Sequence, residues 1–163
     1  SSSSTTPSAT SSPAMSHDEV LKMVLKLTNE VRRKEKATTT GGVEGGGLMD
    51  LIWNSKMQEM ASLHSRNMAM GKVEFGHGGF DERAEKMGGI GKAENIAMLP
   101  VWQPIGAKPT MEMAEKVVEM WEESPGHRKN MLGNFTHCAI GMTLDPDDTY
   151  WYFTQLFCNY GKQ

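Results

Sequence analysis

Val20, Leu21, Val24, Leu25, Thr28 and Val31 recur at intervals of three and four, the spacing that lays one apolar stripe along a helix. The stripe predicts a helix over residues 18–36, with Ser16 as its N-cap and Asp18 and Glu19 in the positive first turn. A second stripe, Trp53, Met57, Met60, Ala61, His64 and Met68, predicts a helix over residues 55–70. Its methionines read as adaptable core filler, and His64 reads as a hydrogen-bonded core histidine. Ala114, Val117, Val118 and Trp121 predict a third helix, which starts after Pro109 with Thr110 as N-cap and ends at Pro125. A short helix follows at once. Ser124 can cap it, Pro125 suits its first position, and Gly133 can close it.

Toward the C-terminus the period shortens. Cys138, Ile140, Met142 and Leu144 alternate with small or polar residues, Asp145-Pro146-Asp147-Asp148 is a turn, and residues 150–158 are rich in aromatic and β-branched side chains. This predicts a terminal hairpin. A register pairing Asp145 with Trp151 sets Cys138 opposite Cys158 and predicts a disulfide between them, with two buried free thiols as the alternative. Residues 94–99 read as a further strand. Residues 38–47 and the Gly-rich 71–92 read as irregular, the latter with one helical turn at 82–87. Residues 100–109 hold three prolines and Trp102, and read as a loop or a flap over a pocket.

Composition narrows the classes. A net charge of −3 gives no basic face for a phosphate backbone, so nucleic acid is not an expected partner. No apolar run is long enough for a membrane span. Residues 1–16 hold eight Ser, three Thr and two Pro, too little apolar surface to offset the entropy of ordering, and predict a disordered segment like an O-glycosylated stalk. Asn134-Phe135-Thr136 is an N-glycosylation sequon after Gly133. These features together with the two cysteines predict a secreted, extracellular protein. There is no His-Glu-x-x-His, Cys-x-x-Cys or Gly-x-Ser-x-Gly, which counts against the commonest enzyme classes.

Three separate segments carry the candidate chemistry: His77 between glycines, Glu94 opening a strand, and His127 in Ser124-Pro125-Gly126-His127-Arg128. His127 falls in the first turn of its helix, where the partial positive charge favours the neutral imidazole that a metal requires.

With these motifs in view, the chain resembles the CAP superfamily of cysteine-rich secretory proteins, antigen 5 and pathogenesis-related class 1 proteins, in its Ser-Pro-Gly-His-Arg branch. The likeness runs over about residues 18–160. It is carried by Asn29, Arg32, Leu51-Ile52-Trp53-Asn54, the 61–68 segment, Gly76-His77, Glu94-Asn95-Ile96-Ala97, Trp121, Ser124 to Asn130, Gly141, Tyr150-Trp151 and Thr154-Gln155. It implies an α+β fold, a three-layer α-β-α sandwich with a small antiparallel sheet between helices, in a domain over residues 17–163. It also implies a cavity of two histidines and two glutamates able to hold zinc or another divalent metal. His77, His127 and Glu94 match three of those positions. The second glutamate falls at Ser124, so Ser124 and the adjacent Glu123 are the additional candidates for the cavity, although Glu122 and Glu123 would point elsewhere on the helix.

The resemblance implies binding of a sterol, a fatty acid or another small apolar ligand, with Trp102 and Pro104 in the candidate ligand loop. A secreted protein-interaction effector is the second reading, its partner an extracellular protein. A metal-dependent hydrolase is the least favoured, because no nucleophile is evident.

Overall fold

The computed structural model describes residues 13–39, 48–101 and 107–161. In chain order these form α1 (His17–Thr39), β1 (Ile52–Trp53), α2 (Ser55–Ala69), α3 (Phe80–Met87), β2 (Gly91–Pro100), α4 (Met111–Glu123), α5 (Pro125–Met131), β3 (His137–Leu144) and β4 (Tyr150–Asn159). The helix starts follow the chain's local chemistry. Ser16 Oγ accepts the Glu19 amide at 3.1 Å, and Asn54 Oδ1 accepts the Met57 amide at 2.9 Å. Thr110 and Ser124 hold the N-cap positions of α4 and α5 without making a side-chain cap bond. At the far end of α5 the C-cap is Leu132, one residue before Gly133.

The sheet runs β1-β3-β4-β2. β3, β4 and β2 pair antiparallel, while the two-residue β1 adds a parallel edge to β3, so the sheet is mixed. Trp53 belongs to that strand and lies off the α2 stripe, because Asn54 opens the helix after it. β2 extends beyond the expected 94–99 at both ends, since β4 offers ten residues of partner backbone. The expected single turn at 82–87 is the eight-residue helix α3, entered through Gly79 at φ 78°.

Alternation along the strands sorts the core into two clusters. Cys138, Ile140, Met142, Phe153 and Phe157 pack with α1 and α4 on one face, while Ala139, Leu156 and Cys158 pack with Met57, Ala61 and Met87 of α2 and α3 on the other. Helices on both faces of the sheet make this the α+β sandwich that the resemblance implied. Each large side chain fully buried, such as Phe153 or Phe157, contributes about 1.5–3 kcal/mol.

The same alternation overturns the predicted disulfide. Cys138 pairs with Phe157, and Cys158 pairs with His137, so the two sulfurs lie on opposite faces of the sheet and both cysteines are free and buried. The register is one residue from the expected one. Both Asp145 carboxylate oxygens take amides of the returning strand, Thr149 N at 2.8 Å and Tyr150 N at 3.2 Å. Asp148 adopts φ 54°, and this tighter turn sets Leu144 opposite Trp151. Burial pushes the Cys138 thiol up to about 12, which makes it inert in the folded protein.

Polar side chains fasten the layers. Arg32, fully buried, donates to the carbonyls of Met49, Met131 and Gly133 at 2.8–2.9 Å. Asn29 pairs with both backbone groups of Leu51. Gln155 donates to Thr28 and accepts from Asn95, whose own oxygen accepts from Asn130, so one chain of bonds crosses from α1 through the sheet to α5. α2 comes closest to the sheet at Gly141, where an added Cβ would lie 2.3 Å from Ser62 N.

Candidate functional site

β2 is an edge strand, and its outward carbonyls are taken by side chains from the helical layer. Trp121 Nε1 donates to Ile96 O at 3.0 Å and Asn130 Nδ2 to Glu94 O at 3.2 Å. Those bonds hold α4 and α5 against the edge and bring His127 alongside, its carbonyl accepting from Asn95 Nδ2 at 3.2 Å. Because side chains alternate along β2, Asn95 turns to the network that reaches α5, and Glu94 turns to the α2 and α3 layer. The site straddles this edge.

Glu94 is almost wholly buried, with 2% of its side chain exposed. Oε1 accepts from His77 Nδ1 at 2.9 Å and from Arg83 Nη2 at 2.9 Å, and Oε2 accepts from Arg83 Nε at 2.7 Å. A bidentate guanidinium fork is the strongest counter-charge a protein offers a carboxylate. Arg83 also donates through Nη1 to Gly78 O at 2.9 Å, so it ties the loop bearing His77 to α3. The loop's other anchor is His64, buried as a core histidine and donating through Nε2 to Gly76 O at 2.8 Å. Burial lowers the His64 pKa and keeps its ring neutral. The His77 ring itself is half exposed.

Facing an anionic acceptor, the His77 Nδ1 carries the proton of that bond. The structure thus brings His77 and Glu94 into contact. His127 is held separately: its Nδ1 pairs with Ser124 Oγ at 2.9 Å. Burial, and then the nearby His77, lower the His127 pKa. Ser124 is therefore engaged with the ring rather than with the helix backbone. Glu123 turns away, exposed, and lines a different open cleft that includes neither histidine nor Glu94. Trp102 and Pro104 lie outside the described residues. Asn134 is exposed in the bend between α5 and β3.

Arg83 is the site residue that sequence reasoning missed. No period or motif relates an arginine on a short Gly-bounded helix to a glutamate eleven positions on. The available signal was indirect: a carboxylate at the head of an apolar strand needs a cation nearby.

These groups do not fit the divalent metal that the resemblance implies. Among the described residues no three His, Cys, Asp or Glu side chains gather as a metal-holding group. Among the described residues the one buried carboxylate, Glu94, is engaged on both oxygens by Arg83 and His77, and a fixed positive charge sits where a cation would need negative surroundings. What remains for chemistry is the two imidazoles, one of them with a serine hydroxyl in hydrogen-bond reach of its Nδ1.

No curated protein matches the chain. Solved structures do. An outer surface protein of Borrelia burgdorferi superposes with a TM-score of 0.63 at 14% identity, covering 93% of this chain and 100% of that one. Venom allergen-like protein 4 of Schistosoma mansoni gives 0.57 at 14%, over 86% and 88% of the two chains. A cysteine-rich secretory protein of Staphylococcus aureus gives 0.56 at 17%, over 89% of this chain and 40% of that one. At such identities the likeness concerns the fold alone. The family assignment comes from the sequence model described as CAP, the cysteine-rich secretory protein family: it matches residues 25–157, and the chain belongs to that family.

Proposed function

We propose that this chain is a secreted CAP-domain binding module whose ligand is a small apolar molecule, a sterol or a fatty acid. One observation carries the reading. An open cleft of about 740 Å³ lies along α5 and the bend that follows it, with Pro125, Leu132 and Phe135 on its walls and Glu122, Glu123, Arg128 and Lys129 around them. Its volume falls in the range of small-ligand sites, and apolar walls among charges suit an amphiphile with one polar end. Among the described residues no helix is long and apolar enough to cross a membrane.

Secretion is supported by the Ser/Thr-rich start and by the exposed sequon at Asn134, beside the cleft. With the two thiols on opposite faces, the cysteines no longer contribute to that case. Glycan addition at Asn134 would precede folding, because in the folded chain the Thr136 hydroxyl is occupied by Cys158 O at 3.3 Å and Tyr160 N at 3.0 Å. The second reading, a partner-binding effector, is favoured by Met70, Val73 and Phe75, which stand exposed just beyond α2.

Native mass spectrometry of protein secreted from a eukaryotic host is expected to show a lipid-sized adduct and a mass that falls on treatment with a glycan-removing amidase. A fluorescent sterol or fatty acid should bind the wild type and bind Leu132→Glu at least about tenfold more weakly. Equal binding by both would exclude the cleft, and no lipid binding at all would leave the effector reading in its place.

A further inference from the structure

We propose that Arg83 is the resident cation of the edge pocket, doing for Glu94 what a divalent metal would do in a cavity of two histidines and two glutamates, and that it thereby makes this pocket metal-independent. The inference is separate from the lipid cleft, which shares neither Arg83 nor the two histidines.

Charge decides the matter. A cavity of two neutral imidazoles and two carboxylates carries two negative charges, enough to neutralise a dication. Here Ser124 stands at the second carboxylate position and is bonded to the His127 ring. Glu94 supplies a single negative charge, and the Arg83 guanidinium, always protonated, cancels it at 2.7 and 2.9 Å. The pocket is left with no net anionic charge. A dication entering between the imidazoles would meet a fixed positive charge and a carboxylate whose two oxygens are already taken.

Geometry points the same way. Arg83 is only 13% exposed and is held by four acceptors: both Glu94 oxygens, Gly78 O at 2.9 Å and, at the long limit of 3.5 Å, His77 O. It is a positioning residue, because it fixes the loop that presents His77 as well as the carboxylate that orients the ring. In metal sites a carboxylate behind a ligating histidine raises the basicity of that ligand. Here the fork draws the carboxylate's charge away from His77. The pocket keeps the orienting bond and loses the electrostatic reason for a metal.

The test uses the full chain, stripped with chelator and dialysed, then titrated separately with zinc chloride and nickel chloride. Calorimetry reads binding, and Tm reads stabilisation of the native state. The wild type should show no saturable heat and no Tm rise at either metal. Arg83→Gln removes the charge yet can still donate to Glu94, and it should show a saturable zinc heat and a Tm rise that the wild type lacks. That gain should vanish in Arg83→Gln/His77→Ala. Arg83→Lys, which keeps the cation, should stay as indifferent to zinc as the wild type, and it serves should Arg83→Gln fail to fold. A wild-type Tm rise with zinc that His77→Ala abolishes would overturn the proposal. So would a zinc response in Arg83→Lys equal to that of Arg83→Gln, or a folded Arg83→Gln that binds zinc no better than the wild type.

Discussion

Two polar regions of this molecule are equally rich in hydrogen bonds and differ in what they leave over. The side chains of Arg32, bonded to Met49, Met131 and Gly133, and of Gln155, bonded to Thr28 and Asn95, are fully buried and have their partners within the fold. The edge pocket has a buried floor, Glu94 and Arg83, and a half-exposed His77 ring. Buried polarity alone therefore does not mark a functional site. The first region satisfies its groups in order to hold layers together. The second leaves one ring half exposed to solvent.

That contrast makes graded predictions. The largest effect belongs to the closed region. Arg32→Met removes the donor for three backbone carbonyls, and urea denaturation should show a loss of about 3–5 kcal/mol. A loss below about 1 kcal/mol would mean that water replaces the guanidinium and that the region is not sealed. Next comes Gly141→Ala, whose Cβ would fall within 2.5 Å of α2 backbone at Ala61 and Ser62. Moving the helix off the sheet should cost about 1–3 kcal/mol, and an unchanged Tm would show that the two layers are not in tight contact there.

The open region should respond far less. His77→Ala leaves the Arg83–Glu94 pair intact and removes a half-exposed ring. Its stability should stay within about 0.5 kcal/mol of the wild type. A large loss would move His77 into the structural class and erase the distinction.

The smallest effect is on pH dependence. Burial holds the pKa values of His64 and His127 below the ordinary 6.5, so the unfolded chain takes up protons first as pH falls. The stability they confer is complete above about pH 6.5 and is lost progressively below it. Urea midpoints measured from pH 7.5 to 5 should decline only in the acidic half, and His64→Gln should flatten that decline. A midpoint that rises on acidification would reverse the assigned sign.

Much of the scaffold was legible from local pattern. α1, α2 and α4 announce themselves by apolar stripes, and Ser16 makes the cap bond expected of it. The hairpin was legible as two strands and a turn, but its register was not. Period-two alternation says which residues share a face within one strand, and the offset between strands depends on how many residues the turn consumes. Asp145 and Asp148 settled that by one residue, and one residue was enough to send Cys138 and Cys158 to opposite faces. Of the candidate site, His77, Glu94 and His127 were legible as motif residues on three segments. The ring partners were legible only in part: Glu94 was expected in one cavity with the histidines, whereas Ser124 was expected to cap a helix and instead holds the His127 ring.

By itself, then, the sequence determined which stretches become helix or strand, because propensity, capping and periodicity act over a few neighbouring residues. It also carried the family, through motifs strung along residues 25–157. Only the tertiary structure decided the strand register, the two fates of the cysteines, and the marriage of Arg83 on α3 to Glu94 on β2. The reason is common to all three. Each depends on which residues from distant segments end up facing one another, and that is set by the packing of whole layers rather than by any local preference.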